Sequence, residues 1–329
     1  MSAVDLLSLA NQKIRPFESI PIIDISGLSG DTNSKAQVAS AIREACIHVG
    51  FFYVKNHGVD ETVIKSTVEA AHEFFDLSLE EKMKLDIHKS PNFKGYTPLL
   101  GENTNPENRG DLHECFDIGP EIDHFSNSSM SGLNVWPPED VIPGFQEAVL
   151  KYYKEVIGLG LKLFPAFALA LNLPENFFDD KVQTAAAIMR LLHYPPQTGA
   201  VDDRIQGIGA HTDYECFTIL CQDDIPALQV LNTSGQWVDA KPISGTFVIN
   251  IADQLSRWTN DIFKSTVHRA INRSGVRRYS IPLFFGTDYD VKLEVLPSCI
   301  SESRPVRYEP ILAGDYLKSR LEETYAHSK

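Results

Sequence analysis

The sequence contains little cysteine and has a deficit of positive charge. Only five of its 329 residues are cysteine, and they form no CxxC pair, so a disulfide-dense scaffold is excluded. Lys and Arg number 30 against 44 Asp and Glu, which gives a formal net charge of −14. Because phosphate binding depends on clustered basic residues, this balance argues against a nucleic-acid or anionic-membrane partner. We expect a small-molecule substrate instead.

The sequence also lacks a long apolar run and a recognisable leader. Its longest apolar stretch, residues 156–171, is interrupted by Lys162 and Pro165 and is too short to span a bilayer comfortably. The first residues show no cationic segment followed by an apolar one. These features predict a cytoplasmic protein with no membrane partner. With 43% hydrophobic residues the chain can still bury a sizeable core, which excludes disordered and collagen-like classes.

Residue patterns divide the chain into three parts. Residues 1–19 are a polar tail. Residues 20–143 predict a mixed, mostly helical layer, with short strands at 20–24 and 51–54 and a capping-box helix start at Ser78. The loop-rich segment from residue 89 onward is expected to cover a site. Residues 144–329 begin and end with helical patterns. Between those helices the pattern predicts short strands, which favours a barrel or jelly roll: 187–194, 217–222, 227–231, 246–251, 266–272 and 279–285.

One histidine and one aspartate, His211 and Asp213, precede the strand-like run 217–222. In extended backbone, residues i and i+2 project to the same face, so both side chains point to one place. The pair alone carries little information, because ten histidines and 44 acidic residues predict roughly one such pair by chance. His268 supplies a third candidate ligand 55 residues after Asp213. Two histidines and a carboxylate, with the opposite metal face open, are typical of non-haem Fe(II) oxygenases.

A second polar pair, Arg278 and Ser280, begins ten residues after His268. Strand alternation places the guanidinium and the hydroxyl on one face, where they can converge on a carboxylate. The planar fork of arginine suits such bidentate binding better than lysine does. A strand arginine is more often solvated, and it is the ordered string of H-x-D, His and R-x-S that favours a site.

These motifs resemble the 2-oxoglutarate and Fe(II)-dependent dioxygenases of the isopenicillin N synthase-like branch. The texture is closest to fungal members, in a thymine-hydroxylase-like subgroup. The resemblance covers nearly the whole chain through the segments IPIIDISGL, GFFYVKNHGV, MRLLHYPPQ, GAHTDYECFTILCQDD, ALQVLNTSGQW, TFVINIADQLSRWTND, KSTVHRAIN and RYSIPLFF. It implies an α+β fold whose core is a double-stranded β-helix, a cupin-like jelly roll, with flanking helices. Both large parts of the chain would then form a single catalytic unit.

The resemblance also implies the cofactors and their ligands. Fe(II) would be held by His211, Asp213 and His268, with O2 as a cosubstrate. The distal carboxylate of 2-oxoglutarate would be bound by Arg278 and Ser280.

By the same resemblance, Tyr194 would lie near the 2-oxoglutarate. The expected reaction is oxidation of an unactivated C–H bond in a small molecule of specialised metabolism. Hydroxylation, desaturation and rearrangement all fit, each coupled to decarboxylation of 2-oxoglutarate to succinate and CO2.

Five further residues are candidates for contact with the substrate. Arg190 shares a predicted strand face with Tyr194 and either anchors an anionic or carbonyl-bearing substrate or forms an exterior salt bridge. Phe284 either supplies an aromatic wall or packs in the core. Tyr96 and Glu114 lie in the loop-rich segment. Glu215 stands where the family usually has glycine, close enough to the H-x-D pair to alter the pocket lining.

Two alternatives stay open on the sequence alone. One is an oxidase of the same fold that uses Fe(II) and O2 without 2-oxoglutarate, as isopenicillin N synthase does. Its Arg278 and Ser280 would hold a substrate carboxylate, so the R-x-S motif does not discriminate. The other is a non-catalytic small-molecule binding protein on the same scaffold. The oligomeric state is not predicted.

Overall fold

The computed structural model describes residues 6–10, 15–103, 110–121, 132–197 and 206–326, with side chains as far as residue 323. Its helices are α1 Leu6–Ala10, α2 Thr32–His48, α3 Glu61–Asp76, α4 Leu79–Met83, α5 Phe145–Ala170, α6 Asp253–Trp258 and α7 Ala313–Ala326. Its strands are β1 Ile22–Asp24, β2 Phe51–Lys55, β3 Gly95–Thr97, β4 Glu114–Ile118, β5 Ala187–Tyr194, β6 Ile208–His211, β7 Phe217–Gln222, β8 Leu228–Leu231, β9 Trp237–Asp239, β10 Thr246–Ile251, β11 His268–Ala270, β12 Arg278–Phe285, β13 Lys292–Leu293 and β14 Ile311–Leu312.

The strands form two main sheets. The larger sheet has the order β1-β2-β10-β7-β12-β5-β4-β3, and the smaller has the order β6-β11-β8-β9. All of their pairings are antiparallel except that of β1 with β2. The predicted strands 187–194, 217–222 and 246–251 are confirmed with the same bounds, and the predicted α+β architecture is confirmed as well. No helix among the described residues is both long enough and apolar enough to cross a membrane.

In the N-terminal part, the predicted strands at 20–24 and 51–54 are confirmed as β1 and β2, whereas β3 and β4 lie in the segment predicted to be a loop. β1 and β2 form one edge of the larger sheet, and β3 and β4 form the other. Strands from residues 20–143 therefore flank those from residues 144–329 on both sides. The prediction omits β4 because acidic residues are uncommon in strands, and this strand contains Glu114 and Asp117. Both carboxylates are buried here and have partners from distant segments.

Helices α2, α3 and α5 cover one face of the larger sheet. Their starts follow from local chemistry, since Asp31 and Asp60 accept hydrogen bonds from backbone amides in the first turns of α2 and α3. The predicted helix start at Ser78 is also confirmed, because its hydroxyl accepts from the Glu81 amide. Each helix buries an apolar stripe against the sheet, which leaves the opposite sheet face for the site.

Strand alternation separates the two faces of the larger sheet. On β5 and β12, odd-numbered side chains such as Met189 and Leu283 pack into the helix-covered core. Even-numbered side chains such as Arg190 and Phe284 line a cavity on the other face. A shift of one residue in either strand would exchange the two sets, so pairing with β7 and β4 fixes which residues reach the cavity.

The contact between α5 and β12 depends on a glycine. Gly160 lies in α5, and a Cβ atom at this position would overlap the ring of Phe285. Gly158, two residues earlier in the same helix, has open space around its Cα. The two glycines thus share a helix and differ in what they face.

We expect Gly160→Ala to destabilise the protein by about 1–3 kcal/mol, because the added methyl group forces α5 away from the sheet. Gly158→Ala is the matched control and should stabilise by about 0.5–1 kcal/mol, since alanine loses less backbone freedom on forming a helix. Urea unfolding of the two variants measures both effects. Equal effects of the two substitutions would contradict the close packing at Gly160.

Candidate active site

A cavity lies between the two sheets. Its wall is built from cavity-facing residues of β5, β7, β10 and β12 on the larger sheet and of β6, β8 and β11 on the smaller one. Helix α7 adds Leu317 and Leu321. The empty volume, including the open mouth, is about 1290 Å³.

Two histidines and an aspartate meet at one place on the wall. The antiparallel register of β6 and β11 pairs His211 with His268. Asp213 follows β6 directly, and its Oδ1 lies 3.4 Å from Nε2 of His211 and 3.6 Å from Nε2 of His268. One ligand atom from each of the three residues lies within 4.8 Å of the others.

The backbone fixes the proton positions on both imidazole rings. Nδ1 of His211 lies 2.8 Å from the Gly209 carbonyl oxygen, and Nδ1 of His268 lies 3.2 Å from that of Thr266. Because a carbonyl oxygen only accepts, each Nδ1 carries a proton, which leaves Nε2 of each ring as the atom available to bind a metal. Two imidazole nitrogens and a carboxylate oxygen then face one another, which is a donor set for a divalent cation. The donor set fits Fe(II).

Two hydrogen bonds hold the Asp213 carboxylate through Oδ2, the oxygen that does not face the histidines. Asn250 donates from Nδ2 to Oδ2 at 2.7 Å, and the Thr218 hydroxyl donates to the same oxygen. Burial opposes ionisation, yet His268, His211 and the Thr218 hydrogen bond together hold the pKa of Asp213 below its ordinary value. Burial and the neighbouring His211 lower the pKa of His268 to about 4. The trio therefore combines an ionised carboxylate with a neutral imidazole, the forms that bind metal.

A buried arginine lies deeper in the cavity. Arg278 is 1% exposed, and its Cζ lies 4.7 Å from the ring centre of Tyr194. It donates to the Ile225 carbonyl at 3.2 Å, to Oε1 of Gln222 at 3.2 Å and to the Ser280 hydroxyl at 3.4 Å. All of these acceptors are neutral. Among the residues that the structure describes, none forms an ion pair with Arg278.

Arg190, unlike Arg278, forms ion pairs with carboxylates of the described residues. Its Nε and Nη2 donate to the two oxygens of Asp117, both at 2.7 Å, and Nη1 and Nη2 donate to Glu102 at 2.8 and 3.0 Å. Four of its five N–H groups are therefore used. Arg190 lines the cavity, but its ion pairs are largely buried rather than exterior. The carboxylates of Asp117 and Glu102 both compensate its positive charge, so an anionic substrate has little to bind there.

Glu215 and Phe284 also line the cavity. Phe284 faces it from β12, opposite Thr218 of β7. Glu215 is 5% exposed, and burial and the nearby Asp213 raise its pKa to about 8. It does not belong to the group of converging metal-ligand atoms.

The structure does not support the expected substrate contacts of Tyr96 and Glu114, because neither residue lines the cavity. Glu114 of β4 points to the helix-covered face, where its carboxylate lies 2.7 Å from Nζ of Lys82 and 2.7 Å from Nδ1 of His193. The Tyr96 hydroxyl donates to the same carboxylate. The sequence pattern does not predict β4. Strand alternation therefore could not indicate which face of the sheet the Glu114 side chain occupies.

The loop-rich segment nevertheless contributes to the cavity through residues that sequence reasoning omits: Phe93, Glu102, His113 and Asp117. Asp117 would have followed from recognising β4, since it lies on the face opposite Glu114. Glu102 carries no local signal, because its partner Arg190 is 88 residues away.

A second group of residues places potential ligand atoms within 4.8 Å of one another: Glu102, His113 and Cys115. However, Glu102 already receives two hydrogen bonds from the Arg190 guanidinium, which repels a metal cation. Burial raises the pKa of the Cys115 thiol well above its ordinary value, which disfavours the thiolate that binds metal. We assign no metal to this group.

Two family models match the chain. Residues 20–139 match the N-terminal region of the non-haem dioxygenases described for morphine synthesis, and residues 185–287 match the 2OG-Fe(II) oxygenase superfamily. The second match contains all three converging ligands together with Arg278 and Ser280.

Curated relatives agree along nearly the whole length. The 2-oxoglutarate-Fe(II) type oxidoreductase hxnY of Emericella nidulans is 37% identical, over 94% of this chain and 91% of the relative. A homoarginine-6-hydroxylase of Oryza sativa subsp. japonica is 34% identical, over 93% of this chain and 97% of the relative.

Among solved structures, the full-length thymine hydroxylase of Neurospora crassa in complex with alpha-KG has a TM-score of 0.85 at 34% identity, covering 93% of this chain and 96% of that one. The same protein with alpha-KG and thymine gives 0.84 at 32% identity, covering 93% and 97%. These likenesses confirm the double-stranded β-helix core, the resemblance to the fungal thymine-hydroxylase-like subgroup, and Fe(II), 2-oxoglutarate and O2 as the cofactor set. The chain belongs to the 2OG-Fe(II) oxygenase superfamily, whose members are 2-oxoglutarate-dependent dioxygenases.

Proposed function

We propose that this enzyme oxidises an unactivated C–H bond of a small molecule in the cavity between its two sheets. His211, Asp213 and His268 hold Fe(II), and Arg278 and Ser280 hold 2-oxoglutarate. The observation that supports this most directly is the buried Arg278, which forms no ion pair with a carboxylate of the described residues.

A buried guanidinium that bonds only neutral acceptors favours an anionic ligand. Leaving such a charge unpaired costs several kcal/mol in a low-dielectric interior. A carboxylate that enters the cavity supplies the missing counter-charge through a charge-assisted, bidentate contact with the guanidinium. Ser280 adds a hydroxyl donor beside it, and the Tyr194 ring covers one face of the guanidinium. The distal carboxylate of 2-oxoglutarate fits these partners.

When bound, Fe(II) and 2-oxoglutarate together supply the electrons with which O2 is activated for attack on a C–H bond. The protein's part is to hold the ligands and exclude water. Asn250 and Thr218 keep one oxygen of Asp213 occupied, so that the other faces the two imidazole rings. The Gly209 and Thr266 carbonyls keep both imidazoles in the tautomer that presents Nε2.

The remaining cavity is available for the prime substrate. Ile188, Pro282 and Phe284 of the larger sheet, with Leu317 and Leu321 of α7, form an apolar wall that displaces water from the reacting centre. The named relatives indicate how varied such substrates are, since one is a homoarginine hydroxylase and another structure contains thymine. Roles in specialised metabolism and in the cytoplasm stay predictions.

The two alternatives have less support. An oxidase without 2-oxoglutarate would share the fold, but the structures reported above contain alpha-KG, and hxnY is named as a 2-oxoglutarate-Fe(II) oxidoreductase. A non-catalytic binding protein has no need for a preorganised set of two histidines and one carboxylate.

Titration of 2-oxoglutarate into the anaerobic Fe(II) protein tests the proposal. We expect a weak metal-to-ligand absorption band that saturates near one equivalent. With a substrate identified, succinate should form in a one-to-one ratio to substrate consumed. An iron-loaded protein whose spectrum does not respond to 2-oxoglutarate would favour the oxidase.

We expect Arg278→Ala to raise the dissociation constant for 2-oxoglutarate at least about thirtyfold, because it removes the cationic partner of the distal carboxylate. The absorption titration measures this constant. Arg277→Ala is the matched control: the Arg277 side chain is half exposed and pairs with Asp76, so its loss should leave the constant unchanged. An unaltered titration of the Arg278 variant would remove Arg278 from the 2-oxoglutarate site.

We expect His211→Ala to weaken Fe(II) binding by more than about a hundredfold, since one of three protein ligands is lost. Iron content after anaerobic gel filtration measures the effect, and circular dichroism reports whether the fold persists. His88→Ala, at a histidine whose side chain is 71% exposed, should retain iron as the wild type does. Stoichiometric iron in the His211 variant would rule out this ligand set.

A further inference from the structure

Glu215 is a buried carboxylic acid that the functions described so far do not use. It lies between β6 and β7, lines the cavity and is 5% exposed. Among the residues that the structure describes, it forms no side-chain hydrogen bond or ion pair with another residue. Apart from its own backbone N–H, the Glu215 carboxyl group has no hydrogen-bond partner among these residues. Burial of a carboxyl group without a partner is destabilising, so its position in a ligand cavity points to a partner on the ligand.

The residues around Glu215 do not supply that partner. Arg190 is the nearby cation, but Glu102 and Asp117 already occupy four of its N–H groups. Gly286, at the end of β12, lies close to the Glu215 side chain: a Cβ built on this glycine would be 3.3 Å from Cγ of Glu215. The carboxyl group thus stands on the part of the wall that also includes Phe284, beside the apolar surface.

Apart from Asp213 and Arg278, the cavity lining includes three carboxyl groups, Glu102, Asp117 and Glu215, and two guanidinium groups, Arg190 and Arg269. The Arg269 guanidinium lies against the Trp237 ring and donates to Gln229. An anionic group placed beside Glu215 would find no free cationic partner in Arg190, because four of its N–H groups already donate to Glu102 and Asp117. A cationic N–H donor would pair with the one carboxyl group of these three that has no partner on another described residue, while the rest of the molecule packs on the apolar wall.

We propose that Glu215 binds a positively charged nitrogen group of the prime substrate, so that the enzyme acts on small molecules with an amidinium, guanidinium or ammonium group next to an apolar part. This inference rests on the proposed function. Glu215 acts as a specificity residue that orients the substrate, and the metal centre and Arg278 are independent of it.

Three probes of equal size and shape test the proposal: benzamidine, benzamide and benzoate. Each is titrated by isothermal calorimetry into anaerobic protein loaded with Fe(II) and 2-oxoglutarate, so that Arg278 is occupied. We expect benzamidine to bind at least tenfold more tightly than benzoate, with benzamide between them. Equal affinities, tighter binding of benzoate or no detectable binding of benzamidine would overturn the proposal without the need for any variant.

Variants then assign the preference to Glu215. In Glu215→Gln the ratio of benzamidine to benzoate affinity should fall at least tenfold, and Glu215→Asp, which keeps the charge, should restore part of it. Glu294→Gln removes a charge from an exposed side chain and should leave the ratio unchanged. A ratio that persists in Glu215→Gln would overturn the assignment.

The 2-oxoglutarate absorption band separates this inference from the proposed function. A wild-type protein with the band but without a preference for benzamidine refutes the role of Glu215 alone. A wild-type protein without the band refutes the proposed function itself. The band in Glu215→Gln also shows that the iron site of the variant is intact.

Discussion

The site depends on one pairing, that of β6 with β11. This antiparallel register sets His211 against His268 and brings Nε2 of both rings towards Oδ1 of Asp213. The surrounding structure maintains this arrangement. Carbonyl oxygens fix both rings, and two side chains from the larger sheet fix the carboxylate. The two sheets thus preorganise the three ligand side chains, so that metal binding requires little rearrangement.

Two of the arginines that line the cavity, Arg278 and Arg190, differ in how their charge is compensated. Arg278 and Arg190 lie on adjacent strands and both face the cavity, yet within the described part of the chain only Arg190 forms ion pairs with carboxylates. Burial makes this difference decisive, because a charge in a low-dielectric interior is satisfied either by the protein or by a ligand. The surroundings of Arg278 therefore favour an anionic ligand more than those of Arg190 do.

The sequence predicts those features that local patterns encode. Short β-rich runs between turns predict β5, β7 and β10, and i, i+2 spacing brings Asp213 to His211 and Ser280 to Arg278. What it does not predict depends on distant partners. Glu114 and Asp117 differ in role because they lie on opposite faces of β4. The sequence pattern does not predict this strand, since acidic residues are uncommon in strands. The neutralisation of Arg190 needs Glu102, a residue with no motif around it.

The N-terminal strands at both edges of the larger sheet have a consequence for how the chain reaches its structure. Lys55 of β2 pairs with Thr246 of β10, a separation of 246 − 55 = 191 residues. Closing so long a loop carries a large entropic cost before any contact compensates for it, which slows folding of sheets with distant partners. During synthesis β2 has no partner strand on its β10 side until most of the chain has been made. Helix α2, which precedes β2 in the chain and packs against it in the folded structure, is then the element able to shield this apolar strand in the interval.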